Sequence, residues 1–145
     1  MTRVNAYLTF LGNCEEAFNF YKSIFGGEFT YVGRFKDMPP QEGVKLSEED
    51  LNKIMHISLP ISKETILMGS DSGGEWAPKT IVGNNISLSI TAGSKADADR
   101  FFSSLSKGGQ VTMPIDQTFW GDYFGMCTDK FGINWMVSFN EANKG

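Results

Sequence analysis

An α+β fold built from two modules, each ordered strand, helix, then three strands, is what this sequence predicts, and three observations predict it. Two amphipathic stretches superimpose at a constant offset of 81 residues: Ala17 falls on Ala98, Phe20 on Phe101, Tyr21 on Phe102, Ile24 on Leu105 and Gly27 on Gly108. Each follows a segment of alternating apolar residues, "VNAYLTF" in one half and "NNISLSI" in the other, the period-two pattern of a half-buried strand. Each is followed by three further short apolar runs bounded by turn residues.

Taken in order, the first helix has Asn13 as its expected N-cap and Glu16 at the capping-box position. Ala17, Phe20, Tyr21, Ile24 and Phe25 then recur at helical spacing, and Gly26-Gly27 stops the run. The strands expected next are "EFTYVGRF", "IMHISLPI" and "ETILMGS". Between the first two lies a polar insert, residues 36–53, with Pro39-Pro40 and a short helix capped by Ser47, which reads as either a flap over a site or a plain surface loop. "GSDSGGEWAPKTIVGN" is the expected linker. The second helix repeats the layout with Ser94 as cap, Asp97 three residues on, and Gly108-Gly109 as stop. The strands "QVTMPI", "DYFGMCT" and "INWMVSF" follow it. A four-stranded sheet with one helix covers only one face and must bury or use the other, so two such sheets are expected to enclose a cleft.

The 145 residues, 41% of them hydrophobic, fit one domain spanning 1–145, with modules at about 1–72 and 84–140. The 13 basic and 17 acidic residues give a net charge of -4, with no Lys/Arg block to neutralise a row of phosphates, which argues against nucleic-acid binding. No apolar run approaches the roughly 20 residues of a membrane-spanning helix, and the expected location is the cytoplasm, with no membrane partner. Cys14 and Cys127 form no CxxC pair and read as free, partly buried thiols.

The paired modules, the opening "GNCEEAFNFYKSIFGGEF" and the ending "FWGDYFGMCTDKFGINWMVSF" together resemble the PhnB-like branch of the vicinal-oxygen-chelate superfamily, which includes glyoxalase I, bleomycin-resistance proteins and extradiol dioxygenases. The resemblance covers nearly the whole chain and implies a glyoxalase-like cleft between paired βαβββ modules in a homodimer. In metal-using members the ligands stand on the first and last strands of each module, typically His or Gln on the first and Glu on the last. Carried over at the 81-residue offset, the first-strand positions are Ala6 and Ser87. The last-strand positions are Met136 and either Met68 or Ser70. None supplies an imidazole, carboxylate or amide oxygen, so the expectation is a protein without the usual metal site and without another cofactor.

The expected ligand-binding cleft is lined by His56, Trp76, Trp120, Tyr123, Met68, Ser87 and Met136, and the ligand is a small apolar or aromatic molecule. His56 is the only histidine, and imidazole is the side chain suited to proton transfer near neutrality. For the aromatics of "WGDYFG" and "TDKFG", cross-strand packing and cleft lining both remain open, as do core filling and ligand contact for the methionines. No catalytic residue is assigned. Two other readings stand beside the binding protein. One is a metal-dependent lyase, isomerase or dioxygenase with atypical ligands such as His56, Cys14, Asp71, Glu75 and Asp122; the other is a structural, partner-binding module. No "GxGxxG" opens a helix after a strand, which argues against a Rossmann-type nucleotide site.

Overall fold

Strand, helix, three strands is the order found in both halves of the chain. The computed structural model describes residues 2–39, 46–72 and 79–143, and the chain divides into a unit Met1–Ile81 and a unit Val82–Gly145. In the first unit, β1 (Tyr7–Phe10) leads to α1 (Cys14–Phe25), β2 (Tyr31–Arg34), a 3-10 turn (Phe35–Asp37), the short α2 (Glu48–Leu51), β3 (Ile54–Pro60) and β4 (Ile66–Asp71). Its sheet runs β1-β4-β3-β2, with β1 parallel to β4 and the other pairs antiparallel. In the second unit, β5 (Leu88–Thr91), α3 (Lys95–Ser106), β6 (Gln110–Gln117), β7 (Tyr123–Thr128) and β8 (Asn134–Phe139) form the sheet β5-β8-β7-β6, with the same single parallel pair at the first strand. Among the described residues, no helix is long and apolar enough to cross a membrane.

The helices obey the 81-residue offset at both ends, Cys14 matching Lys95 and Phe25 matching Ser106. Their N-termini differ. Ser94 accepts the Asp97 N–H at 3.0 Å, as a serine cap should, and Ser47 caps α2 through the Asp50 N–H at 3.1 Å. Asn13, the expected cap of α1, makes no such bond. Its work is done from the far end of the unit, where the buried Asp71 carboxylate accepts from the Gly12 and Cys14 N–H groups at 3.0 and 2.9 Å and, through its other oxygen, from Ile54 at 3.0 Å. A carboxylate also complements the positive end of the helix dipole.

This anchoring accompanies a one-residue change of phase. Gly12 sits at φ 109, in the region that favours glycine, while Gly93 in the equally long second connection does not. In β1 the even-numbered Leu8 and Phe10 face the helix, Phe10 meeting Phe18 edge-on at 6.2 Å. In β5 the helix-facing residues are Leu88 and Ile90, opposite Trp135 and Val137. At the 81-residue register that the helices obey, the open-face Tyr7 therefore falls on the helix-facing Leu88, so the two first strands turn opposite phases toward their helices.

Each helix buries one stripe against its sheet. From α1 come Cys14, Ala17, Phe18, Tyr21 and Ile24, packed over Ile57, Leu59 and Leu67; from α3 come Ala98, Phe102 and Leu105, over Cys127, Trp135 and Val137. Phe18 sits over Gly69 so closely that an added Cβ would lie 2.7 Å from its ring, and Phe102 sits over Gly125 in the same way. Gly69→Ala would also place its methyl 2.8 Å from the Leu8 carbonyl oxygen, an atom that cannot swing aside. It should cost about 1–3 kcal/mol in urea denaturation, the usual range for overpacking. Gly93→Ala, whose Cβ meets nothing within 4 Å, should stay within about 0.5 kcal/mol of the parent.

Candidate functional site

The face of each sheet turned away from its helix is where side chains remain free for function. In the first unit, Gly69 marks the helix side, and its partners Leu8 and Ile57 share that side. The alternate residues form the open face: Tyr7 and Thr9 on β1, Met68 and Ser70 on β4, His56 and Ser58 on β3, Tyr31 and Gly33 on β2. Directly opposed residues make a row across all four strands, Tyr31–Ser58–Met68–Tyr7.

His56 stands beside that row and is held from four directions. Its Nδ1 lies 3.3 Å from the Tyr7 hydroxyl and its Nε2 lies 3.0 Å from Ser58 Oγ. The rings of Tyr7 and Tyr31 flank it, with centroids 5.6 and 5.7 Å away. Tyr31 reaches this position by lying across Gly33, where any Cβ would fall 2.7 Å from its phenolic oxygen. A neutral imidazole has one donor and one acceptor nitrogen, and a hydroxyl can take either role. The Tyr7–His56–Ser58 chain can therefore run with its donors pointing in either direction. Both tyrosines are about half exposed, at 46% and 49%, whereas Ser58 is buried.

In the second unit the corresponding row is Met113–Met126–Met136–Ser89. Three thioethers replace the hydroxyl-bearing row of the first sheet. Beside it Phe124 stands opposite Ser138, and the half-exposed Trp120 packs on Phe124 at 5.8 Å while its Nε1 donates to Asp122 at 3.2 Å.

Of the residues expected to line a binding site, His56 and Met68 thus share the open face of the first sheet. Met136 lies on that of the second, with Ser87 in phase two residues before Ser89 and Trp120 at the tip of the β6–β7 hairpin. Tyr123 is on the other face: it pairs with the buried Phe139, donates its hydroxyl to Asp99 of α3, and has the Lys95 ammonium 4.8 Å from its ring. Trp76, like Glu75 and the centre of the 36–53 insert, lies outside the described residues. Tyr7, Tyr31 and Ser58 were not singled out from sequence. The signal was present in the period-two phase, which puts Ser58 on the same face as His56, but Tyr7 and Tyr31 reach that face only through strand pairing.

At the parallel seam of each sheet, Tyr7 pairs with Met68 and Ser89 with Met136. Phenol, hydroxyl and thioether groups are poor ligands for hard divalent ions. Among the described residues, no three His, Cys, Asp or Glu side chains gather as a metal-holding group. Asp71, one of the atypical candidates, is on the helix side of its sheet with both oxygens taken by backbone N–H groups.

A cavity of about 250 Å³ opens beside the start of α1, with Asp71 at its wall. Its cations are already engaged: Arg34 grips the Glu15 carboxylate and the Asn52 carbonyl, and Lys53 pairs with Asp50 at 2.8 Å. These bonds raise the Arg34 and Lys53 pKa values, the first through Glu15 and the second through Asp50.

Solved structures, three of which are described below, resemble the chain along almost its full length, and a family model described as 3-demethylubiquinone-9 3-methyltransferase matches residues 2–138. Protein PA1353 from Pseudomonas aeruginosa is 37% identical, with a TM-score of 0.82 over 97% of this chain and 98% of that one. A putative 3-demethylubiquinone-9 3-methyltransferase, PhnB protein, from Bacillus cereus is 23% identical, with a TM-score of 0.74 over 95% and 99%. The fosfomycin resistance protein FosX from Listeria monocytogenes, solved with Mn(II) and sulfate, shares the fold at 8% identity, with a TM-score of 0.63 over 99% and 95%.

Two titration outcomes follow from the side-chain environments. Burial, with Asp71 adding to it, pushes the Cys14 thiol far up, and burial followed by Asp129 pushes Cys127 up to about 11. Both thiols should resist alkylation in the folded protein and react together on unfolding, as mass spectrometry of the iodoacetamide-treated chain would read. The hydrogen bond to Asp99 pushes Tyr123 up to about 12. The folded chain then holds a phenol proton that the unfolded chain releases near 10, so the stability this bond adds is full below pH 10 and falls between about 10 and 12. Asp99→Asn should bring the late tyrosine step of an ultraviolet titration down toward the ordinary range.

Proposed function

We propose, from the premise that the chain belongs to the family described as 3-demethylubiquinone-9 3-methyltransferase, the PhnB-like branch of the vicinal-oxygen-chelate superfamily, that it binds a small aromatic molecule on the open face of its first sheet. The observation that carries this reading is the His56 imidazole held between two half-exposed tyrosine rings, with a hydroxyl on each nitrogen. Aromatic walls and a few convergent polar groups are what a site for a flat ligand requires. Rings of this kind attract a planar partner by offset or edge-on stacking. The expected ligand positions, Ala6, Ser87, Met136 and Met68 or Ser70, carry no imidazole, carboxylate or amide, and the binding reading routes nothing through a divalent ion.

Methyl transfer, the activity in the family's description, finds no support in this architecture. A Rossmann-type S-adenosylmethionine site uses a glycine-rich turn between a parallel strand and a helix. Here each sheet has a single parallel pair, and the connections before α1 and α3 each carry one glycine. The reading includes a homodimer located in the cytoplasm, both of them family and composition expectations; light scattering on the purified chain measures the first.

Because His56 is the only histidine, its imidazole Hε1 resonance is a single-site reporter. Titration with a panel of small phenols and other planar aromatics should move that resonance in saturable fashion. Binding that leaves it unmoved would place the ligand elsewhere and defeat the proposal. Tyr7→Phe keeps the ring and removes the hydroxyl on Nδ1, so the same ligands should bind about fivefold more weakly, the worth of roughly one hydrogen bond.

A further inference from the structure

The open face of the first sheet carries hydroxyls, an imidazole and a thioether, and among the residues placed on it, Tyr7, Thr9, Tyr31, Gly33, His56, Ser58, Met68 and Ser70, none is Asp, Glu, Lys or Arg. Tyr7, Thr9, Tyr31, Ser58 and Ser70 supply five hydroxyls around His56 and Met68. Of the charged side chains described in this unit, Asp71 turns to backbone N–H groups on the helix side, Arg34 to Glu15, Lys53 to Asp50 and Lys22 to Glu28. We infer that this face selects its ligand for lack of charge, and that the class it takes is a neutral phenol in preference to aromatic carboxylates or ammonium compounds. The inference rests on the reading of this face as the binding site and adds to it the chemistry of the occupant.

The physical argument is one of desolvation. An ionic ligand settling against the exposed sides of the two tyrosine rings gives up part of its hydration and meets no opposite charge in return. An uncharged hydroxyl gives up far less, and every partner on this face can answer it. The Tyr7 and Ser58 hydroxyls each donate or accept, and the imidazole between them reverses its donor and acceptor nitrogens to suit. The face is thus tolerant of the direction of a ligand's hydrogen bond and intolerant of its net charge.

Three probes of one shape decide the matter: 4-hydroxybenzyl alcohol, 4-hydroxybenzoate and tyramine, titrated into the full chain at pH 8 by calorimetry, with the His56 Hε1 resonance followed in parallel. The alcohol should bind about tenfold tighter than either ion, the consequence of an uncompensated desolvation cost above 1 kcal/mol. If the benzoate or tyramine matches or exceeds it while moving the His56 signal, selection against charge is overturned and the site itself stands. If none of the three moves that signal, the site reading fails and this inference with it. Thr9→Lys, a change at an exposed position on the same face, should narrow the gap between benzoate and alcohol by about fivefold or more. An unchanged gap would show that the absence of charge is not what discriminates.

Discussion

The close seating of one helix on one face of each four-stranded sheet is the constraint on which the rest of this structure depends. Phe18 over Gly69 and Phe102 over Gly125 bring a helix to a distance at which no side chain fits on the strand beneath. That contact fixes which residues of every strand point inward. A helix can cover only one face, so the same contact decides which residues stay available for a ligand. In the first sheet those are hydroxyls around His56; in the second they are Met113, Met126 and Met136 in a row.

The two units solve the same problem with different chemistry at their joints. The second helix starts on its own serine, a local device that can be read from the sequence. The first starts on Asp71, which comes from the last strand of the unit and ties the β1–α1 connection and the start of β3 to one carboxylate. An unpaired buried N–H costs on the order of 1–3 kcal/mol, so the buried Cys14 and Ile54 donors satisfied by one side chain, with Gly12 beside them, make a substantial tie. Gly12, one of the three donors, holds φ 109 in that connection, and Tyr7 of the preceding strand stands on the open face.

Tyr7, Met68, Ser89 and Met136 stand at the parallel seams of the two sheets. Phenol, hydroxyl and thioether groups in such places are suited to stacking and hydrogen bonding. The activity in the family description is attached to the same scaffold, and fold does not settle between such activities. The side chains around His56 carry that argument instead.

Periodicity by itself determined the two modules, their helices and the approximate place of all eight strands, because amphipathic patterns at periods of 3.6 and 2 are imposed by burial on one side. It also found the caps Ser47 and Ser94, whose bonds are to residues three positions away, and it drew attention to His56 for being alone. What it could not determine was any relation that depends on long-range pairing. The expected cap at Asn13 gave way to Asp71 across some 57 residues of chain, and the first strand fell one residue out of the helical register. Tyr123, expected among the ligand-binding aromatics, stands on the helix side of its sheet with its hydroxyl on Asp99. The cluster of Tyr7, Tyr31 and Ser58 about His56 exists only because β2, β3, β4 and β1 lie side by side in that order. A local pattern gives the alternation of a strand, but which neighbour it receives and which of its faces the helix covers are settled only when the tertiary structure closes.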